Sequence, residues 1–131
     1  MLALETNVLV RFITRDDEIQ ADEVDRFLEN AAQQGEILFI SDTEFCELAW
    51  ILQSGYHLNR RKVADVMRGL IYSYEIEIMA TSNVEDALVA FEQGVVDFAD
   101  YLTREQSLAA GCRAVVTFDR DLLKSEGFIK P

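Results

Sequence analysis

The stretch Met1-Leu-Ala-Leu-Glu-Thr-Asn-Val-Leu-Val10 decides how the rest of the chain is read. An apolar run long enough only for a brief strand stops at Glu5-Thr6-Asn7, and Val8, Leu9, Phe12 and Ile13 then follow at helical spacing. Thr6 or Asn7 is suited to cap that helix. Open α/β sheets bind ligands outside the carboxyl ends of their strands, so an acid at a strand end is placed for chemistry as well as for solvation. The remaining acids matter according to whether the fold brings them to Glu5.

Downstream, Ile19 to Gln34 carries Val24, Phe27, Leu28 and Ala31 at amphipathic spacing, with Gly35 at its end, and Glu36-Ile-Leu-Phe-Ile40 reads as a buried strand. Ser41-Asp-Thr-Glu44 has the form of a capping box, which assigns Glu44 to the Ser41 amide and leaves Glu47 on the flank of a helix ending at Gly55. Asn59 to Ser73 is a further amphipathic helix, and Glu75-Ile-Glu-Ile-Met79 alternates as a half-exposed strand does. Ser82-Asn-Val-Glu85 repeats the capping-box pattern before a helix stopped at Gly94. Asp97 is the expected N-cap of the next helix, with Asp100 in its first turn, where a carboxylate also meets the positive end of the helix dipole. Ala114-Val-Val-Thr117 is then a short buried strand running into Phe118-Asp119-Arg120-Asp121, a second strand ending in acid. Strands alternating with helices predict one domain over 1–131, a three-layer α/β/α arrangement around a mostly parallel sheet.

Composition narrows the function. Half of the 131 residues are hydrophobic and 27% are charged, which is globular usage, and no apolar run approaches the ~20 residues of a membrane span. No basic and apolar leader opens the sequence, so a cytoplasmic protein with no membrane contact is expected. A net charge of -12 argues against a broad grip on nucleic acid, although a local basic rim around a cation-filled centre remains compatible with one. Cys46 and Cys112 lack metal-ligand spacing and read as buried, reduced thiols, and Trp50 and the methionines read as core. His57 is the only histidine, which leaves a nucleophilic triad without support, and no glycine-rich dinucleotide or phosphate loop is present.

If the strands ending at Glu5 and Asp119 are neighbours, and the helices opening at Ser41 and Asp97 start at the same edge, then Glu47 and Asp100 join them. Two like charges about 4 Å apart repel by about 4 kcal/mol at an effective dielectric of roughly 20, so such a cluster calls for protons or cations. Hard oxygen donors select Mg²⁺ or Mn²⁺. The alternative is that Asp97, Asp100, Glu44 and Glu85 only serve helix N-termini, which is the reading favoured for Glu44 and Glu85.

Leu4-Glu-Thr-Asn-Val-Leu9, Glu47-Leu-Ala-Trp-Ile-Leu52, Asp97-Phe-Ala-Asp100 and Thr117-Phe-Asp-Arg-Asp121 together resemble the four successive motifs of PIN-domain ribonucleases, in particular the VapC toxins of type II toxin–antitoxin pairs. The resemblance implies a metal-dependent endoribonuclease in which Glu5, Glu47, Asp100 and Asp119 hold Mg²⁺ or Mn²⁺ and leave a 5′-phosphate and a 3′-hydroxyl. Asp97 and Asp121 would be auxiliary acids, Asp121 equally well capping the Leu122-Leu123 turn, and Thr6 and Thr117 nearby hydroxyls. Arg11, Arg15, Arg104 and Arg120 are the expected phosphate contacts, being nearest these motifs in sequence. A small basic antitoxin and a homodimer are the implied partners. One departure stands out: the family's first acid is normally aspartate, and the extra methylene of Glu5 displaces its carboxylate by up to ~1.5 Å. An impaired centre that acts only through its antitoxin complex is therefore the alternative.

Overall fold

In the computed structural model, which describes every residue except Tyr74 and Ile76, the chain runs β1 (Leu2–Ala3), α1 (Thr6–Thr14), α2 (Glu18–Gln33), β2 (Ile37–Phe39), α3 (Asp42–Ser54), α4 (Arg60–Ile71), β3 (Glu77–Met79), α5 (Ser82–Gln93), α6 (Phe98–Ala109), β4 (Val115–Val116) and β5 (Phe128–Ile129), with a 3-10 turn at Leu122–Lys124. Every strand pairing is parallel: β1, β2 and β3 form one sheet in that order, and β4 and β5 form a second. Leu38 lies in register between Leu2 and Ile78. This is the expected α/β fold, a parallel sheet flanked by helices.

The condition that the strands ending at Glu5 and Asp119 be neighbours is not met through strand hydrogen bonding, because β1 pairs with β2 in one sheet and β4 with β5 in another. Strands this short carry few ladder bonds, such as Leu4 N to Phe39 O at 2.9 Å and Thr117 N to Ile129 O at 2.9 Å. Helix packing therefore does most of the work of ordering the elements. The stretch at Val115–Val116 is also not fully buried, Val116 being 60% exposed, since a two-stranded sheet covers little of its own faces. Of the strand expected at Glu75–Met79, residues 77–79 form β3, Glu75 lies in a bend, and Ile76 lies outside the described residues.

Side chains from all the longer elements fill the core. Phe45, Leu48 and Leu52 of α3, Val63 and Met67 of α4, Val84, Leu88 and Phe91 of α5 and Phe98 of α6 are almost fully buried. Phe91 and Phe98 meet edge to face, 6.0 Å between centroids. Trp50 falls opposite the buried stripe of α3 and is 65% exposed, so it is not a core residue. Asn59, Asp17 and Ser41 each accept a backbone N–H from the first turn of their helices, contacts of about 1 kcal/mol each.

Several local readings change for long-range reasons. Thr81, not Ser82, is the N-cap of α5, and its hydroxyl donates to Asp42 Oδ1 at 2.5 Å. Gln106 donates to Asp42 Oδ2 at 2.6 Å, so one carboxylate at the start of α3 ties down both α5 and α6. Arg60 leaves the basic run of Arg60-Arg-Lys62 to donate to the carbonyls of Phe91 (3.1 Å) and Val96 (2.6 Å), clamping the turn between α5 and α6. Gly94 is required in that turn, because a Cβ there would lie 1.7 Å from the Tyr101 hydroxyl.

Candidate metal centre

Glu5 occupies the N-cap position of α1 itself, one residue before the caps expected from sequence, and its side chain caps nothing. It is exposed, and its carboxylate has no hydrogen bond or ion pair among the described residues. Thr6 is the first residue of α1 and, at 2% exposure, the only buried polar side chain among those described. Its amide donates to Glu44 Oε2 at 2.6 Å, and its hydroxyl lies against Glu44 Oε2 and, at 2.9 Å, Glu47 Oε2. A hydroxyl has one proton to donate, so two carboxylates share a single donor here. Glu44 thus departs from its expected duty at the Ser41 amide. Ser41 does accept the Glu44 amide at 3.3 Å, but the Glu44 carboxylate crosses to α1.

On the other side, the Asp97 amide donates to Asp100 Oδ2 at 3.2 Å, which fastens the first turn of α6. Burial first, and the nearby charges of Asp97 and Asp119 after it, raise the Asp100 carboxyl above its ordinary value, although the bond from the Asp97 amide pulls it down. Asp119 Oδ1 accepts the amides of Asp121 (2.8 Å) and Leu122 (3.0 Å), while the Asp119 amide donates to Thr117 Oγ1 at 3.0 Å. The turn after β4 is therefore capped by Asp119 and not by Asp121. Asp121 instead pairs with Lys124 at 3.0 Å.

The bases nearest these motifs in sequence are mostly engaged elsewhere. Arg11 binds Asp16, Arg15 binds Asp22 and Asp25, and Arg104 binds Glu105 and the Glu126 carbonyl. Arg120 is exposed and without an ion pair among the described residues. None of the recorded ion pairs includes Glu5, Glu44, Glu47, Asp97, Asp100 or Asp119. Among the described residues these acids have no compensating base, which suits a cation with hard oxygen preferences. Their spacing is looser than the sequence implied: among the described residues no three His, Cys, Asp or Glu side chains stand close enough together to hold one ion. Instead Glu44 and Glu47 meet across Thr6, and Asp100 lies within charge range of Asp97 and Asp119.

The thiols offer no competing chemistry at this edge. Burial, and then Asp42, push the Cys46 thiol up to about 11, leaving it protonated at neutral pH. Cys112 is exposed, contrary to the buried thiol expected from its apolar neighbours. His57 lies exposed in the loop between α3 and α4 at a left-handed φ of 55°.

Fold and donor set together define an α/β domain with a carboxylate-rich, oxygen-donor centre. The PIN domain family matches residues 2–126, and the chain belongs to that family. A VapC ribonuclease from Aquifex aeolicus (strain VF5) is 25% identical over 124 residues, covering 95% of this chain and 91% of that relative. No helix among the described residues is long and apolar enough to cross a membrane.

Proposed function

We propose that the chain is a VapC-like, Mg²⁺- or Mn²⁺-dependent endoribonuclease whose centre includes Glu47, Asp100 and Asp119 together with a carboxylate at the start of α1. The observation that carries this reading is the set of acids that have no paired base among the described residues, at or near the starts of α1, α3 and α6 and after β4, in a chain of the PIN family. A divalent ion, when bound, would lower the pKa of water and screen the phosphodiester from these acids. The chain's own residues supply orientation. Thr6 holds the Glu47 carboxylate, the Asp121 and Leu122 amides hold Asp119, and the Asp97 amide holds Asp100. Partial burial keeps the Asp100 carboxylate poorly solvated, which strengthens its interaction with any cation. Arg120, and the auxiliary residues Asp97, Asp121 and Thr117, complete the proposed surface for RNA.

The test is cleavage of a labelled RNA with Mn²⁺ or Mg²⁺ and with EDTA, reading the product ends. Metal-dependent products bearing 5′-phosphate support the proposal, and identical cleavage in EDTA contradicts it. The exposure of Glu5 favours a second reading, an impaired centre that works only through its antitoxin complex, and absence of cleavage despite metal binding would select it.

The proposed partner is a small basic antitoxin. It would lie in a cavity of about 630 Å³ between α1, α2 and α4, lined by Val8, Phe12, Ile13, Val24, Leu28 and Leu70. Asp25, Glu29 and Glu75 also line this cavity, and with the net charge of -12 they suit an apolar segment flanked by basic residues. A homodimer completes the proposal, with a mass by light scattering near twice the 14.9 kDa of one chain.

A further inference from the structure

We infer that Phe118 is a stacking surface for an unpaired base of single-stranded RNA. The inference rests on the ribonuclease reading above, adds to it a residue that meets the substrate, and needs no cation. Phe118 is 79% exposed, more than any other large hydrophobic side chain among those described. It belongs neither to the core nor to the partly buried residues packed on it. Exposure alternates along β4 and beyond: Val116 and Phe118 are open to solvent, while Val115 and Thr117 are half-buried. Successive strand residues point to opposite faces, so Val116 and Phe118 share the open one. Ile129, exposed and in register with Val116 on β5, extends it.

A lone exposed phenylalanine is ordinary on a protein surface, but three observations set this one apart. The turn that carries it is fastened on both sides. Thr117 N donates to Ile129 O at 2.9 Å, the Asp119 amide donates to Thr117 Oγ1 at 3.0 Å, and Asp119 Oδ1 accepts the Asp121 and Leu122 amides. A ring on so fixed a backbone, with only two side-chain torsions of its own, loses little freedom when a base covers it. Phe118 also directly precedes Asp119, which the proposed reading places at the phosphodiester. Finally, the charge of this segment differs from that of the rest of the chain. Residues 111–131 carry four bases and three acids, whereas residues 1–110 carry eight bases and 21 acids. Arg113, Arg120 and Lys130 within it are exposed and have no ion pair among the described residues. An open aromatic face in a segment with unpaired cations suits single-stranded nucleic acid, which is held by base stacking and phosphate contacts together.

The competing occupant of this apolar face is a second copy of the chain. Wild type, Phe118→Ala, Phe118→Leu and Phe118→Trp would be titrated into a fluorescently labelled single-stranded RNA. Binding would be followed by anisotropy in EDTA and again in Ca²⁺, with mass by light scattering in parallel. Because the ring is exposed, these substitutions leave the core untouched. Phe118→Ala and Phe118→Leu are expected to weaken binding at least about fivefold, and Phe118→Trp to stay within about twofold of wild type, since Phe118→Leu keeps apolar area but no π face. Wild-type affinity in Phe118→Leu, or a loss in Phe118→Trp as large as that in Phe118→Ala, overturns the inference. So does a mass halved by Phe118→Ala, which would assign the face to contact between copies. RNA binding absent from the wild type in both solutions overturns the ribonuclease reading and this inference with it, whereas equal binding by wild type and Phe118→Ala overturns the inference alone.

Discussion

The Thr6 amide donates to Glu44 Oε2 at 2.6 Å, joining the first turn of α1 to the first turn of α3. Because Thr6 is buried, Glu44→Ala would leave its amide short of an acceptor, while its hydroxyl keeps Glu47 Oε2 at 2.9 Å. Such an unmet buried group costs about 1–3 kcal/mol. Urea denaturation should show Glu44→Ala destabilised by that amount and Glu44→Gln by less than about 1 kcal/mol. Equal losses in both would mean that the charge, and not the accepted hydrogen bonds, stabilises this junction.

Asp100 makes a pH-dependent prediction. Its folded pKa is raised, so the folded chain holds this proton more tightly than the unfolded chain does. The resulting cost to stability is fully present above the folded pKa, shrinks as pH falls through it, and is gone below the ordinary carboxylate value. Asp100→Asn keeps an oxygen for the Asp97 amide and removes that cost. Without metal, the variant should melt roughly 1–3 °C higher than wild type at neutral pH, with the gap closing in acid. A lower melting temperature at neutral pH would assign Asp100 a stabilising role through its charge.

At the turn after β4, Asp119→Asn and Asp119→Ala should behave differently. Asparagine retains an oxygen for the Asp121 and Leu122 amides, whereas alanine leaves both without it. Thermal melts are expected to place Asp119→Asn near wild type and Asp119→Ala about 1 kcal/mol below it. Indistinguishable melts would show that water replaces the carboxylate at these amides without cost.

The cavity between α1, α2 and α4 yields a binding prediction. Phe12 lines it and is already partly exposed, so Phe12→Glu introduces charge there with little loss of core. Purified from its native operon, the wild-type chain should bring down a small basic protein and Phe12→Glu should not. Retention by the variant would move the partner to another face.

Helical periodicity was the legible part of this sequence, and α1 through α6 follow it closely. The strands were legible as stretches but not as a sheet, because two or three residues carry no information about which neighbour they pair with. That is why the adjacency of β1 and β4 could be posed from sequence only as a condition. Glu44 was misread for a related physical cause: its capping-box spacing is a local signal, while its partner Thr6 is remote in the chain. The same limit applies to Arg60, whose carbonyl partners lie on another helix and turn, and to Thr81, drawn to Asp42. Trp50 was misplaced because hydrophobicity alone does not say which side of α3 faces the core. The places of Asp100 in the first turn of α6, of Asp119 just after β4 and of Glu47 about one turn into α3 were legible, since each follows from its offset within its own element.

The most direct test of the central proposal is RNA cleavage by the purified chain in Mn²⁺, set beside Asp119→Asn under the same conditions. The account predicts metal-dependent cleavage by the wild type, abolished by EDTA, and a loss of at least about 100-fold in Asp119→Asn, equivalent to roughly 2.7 kcal/mol of barrier, with melting unchanged. Cleavage by Asp119→Asn at the wild-type rate, or by the wild type equally in EDTA, would contradict it.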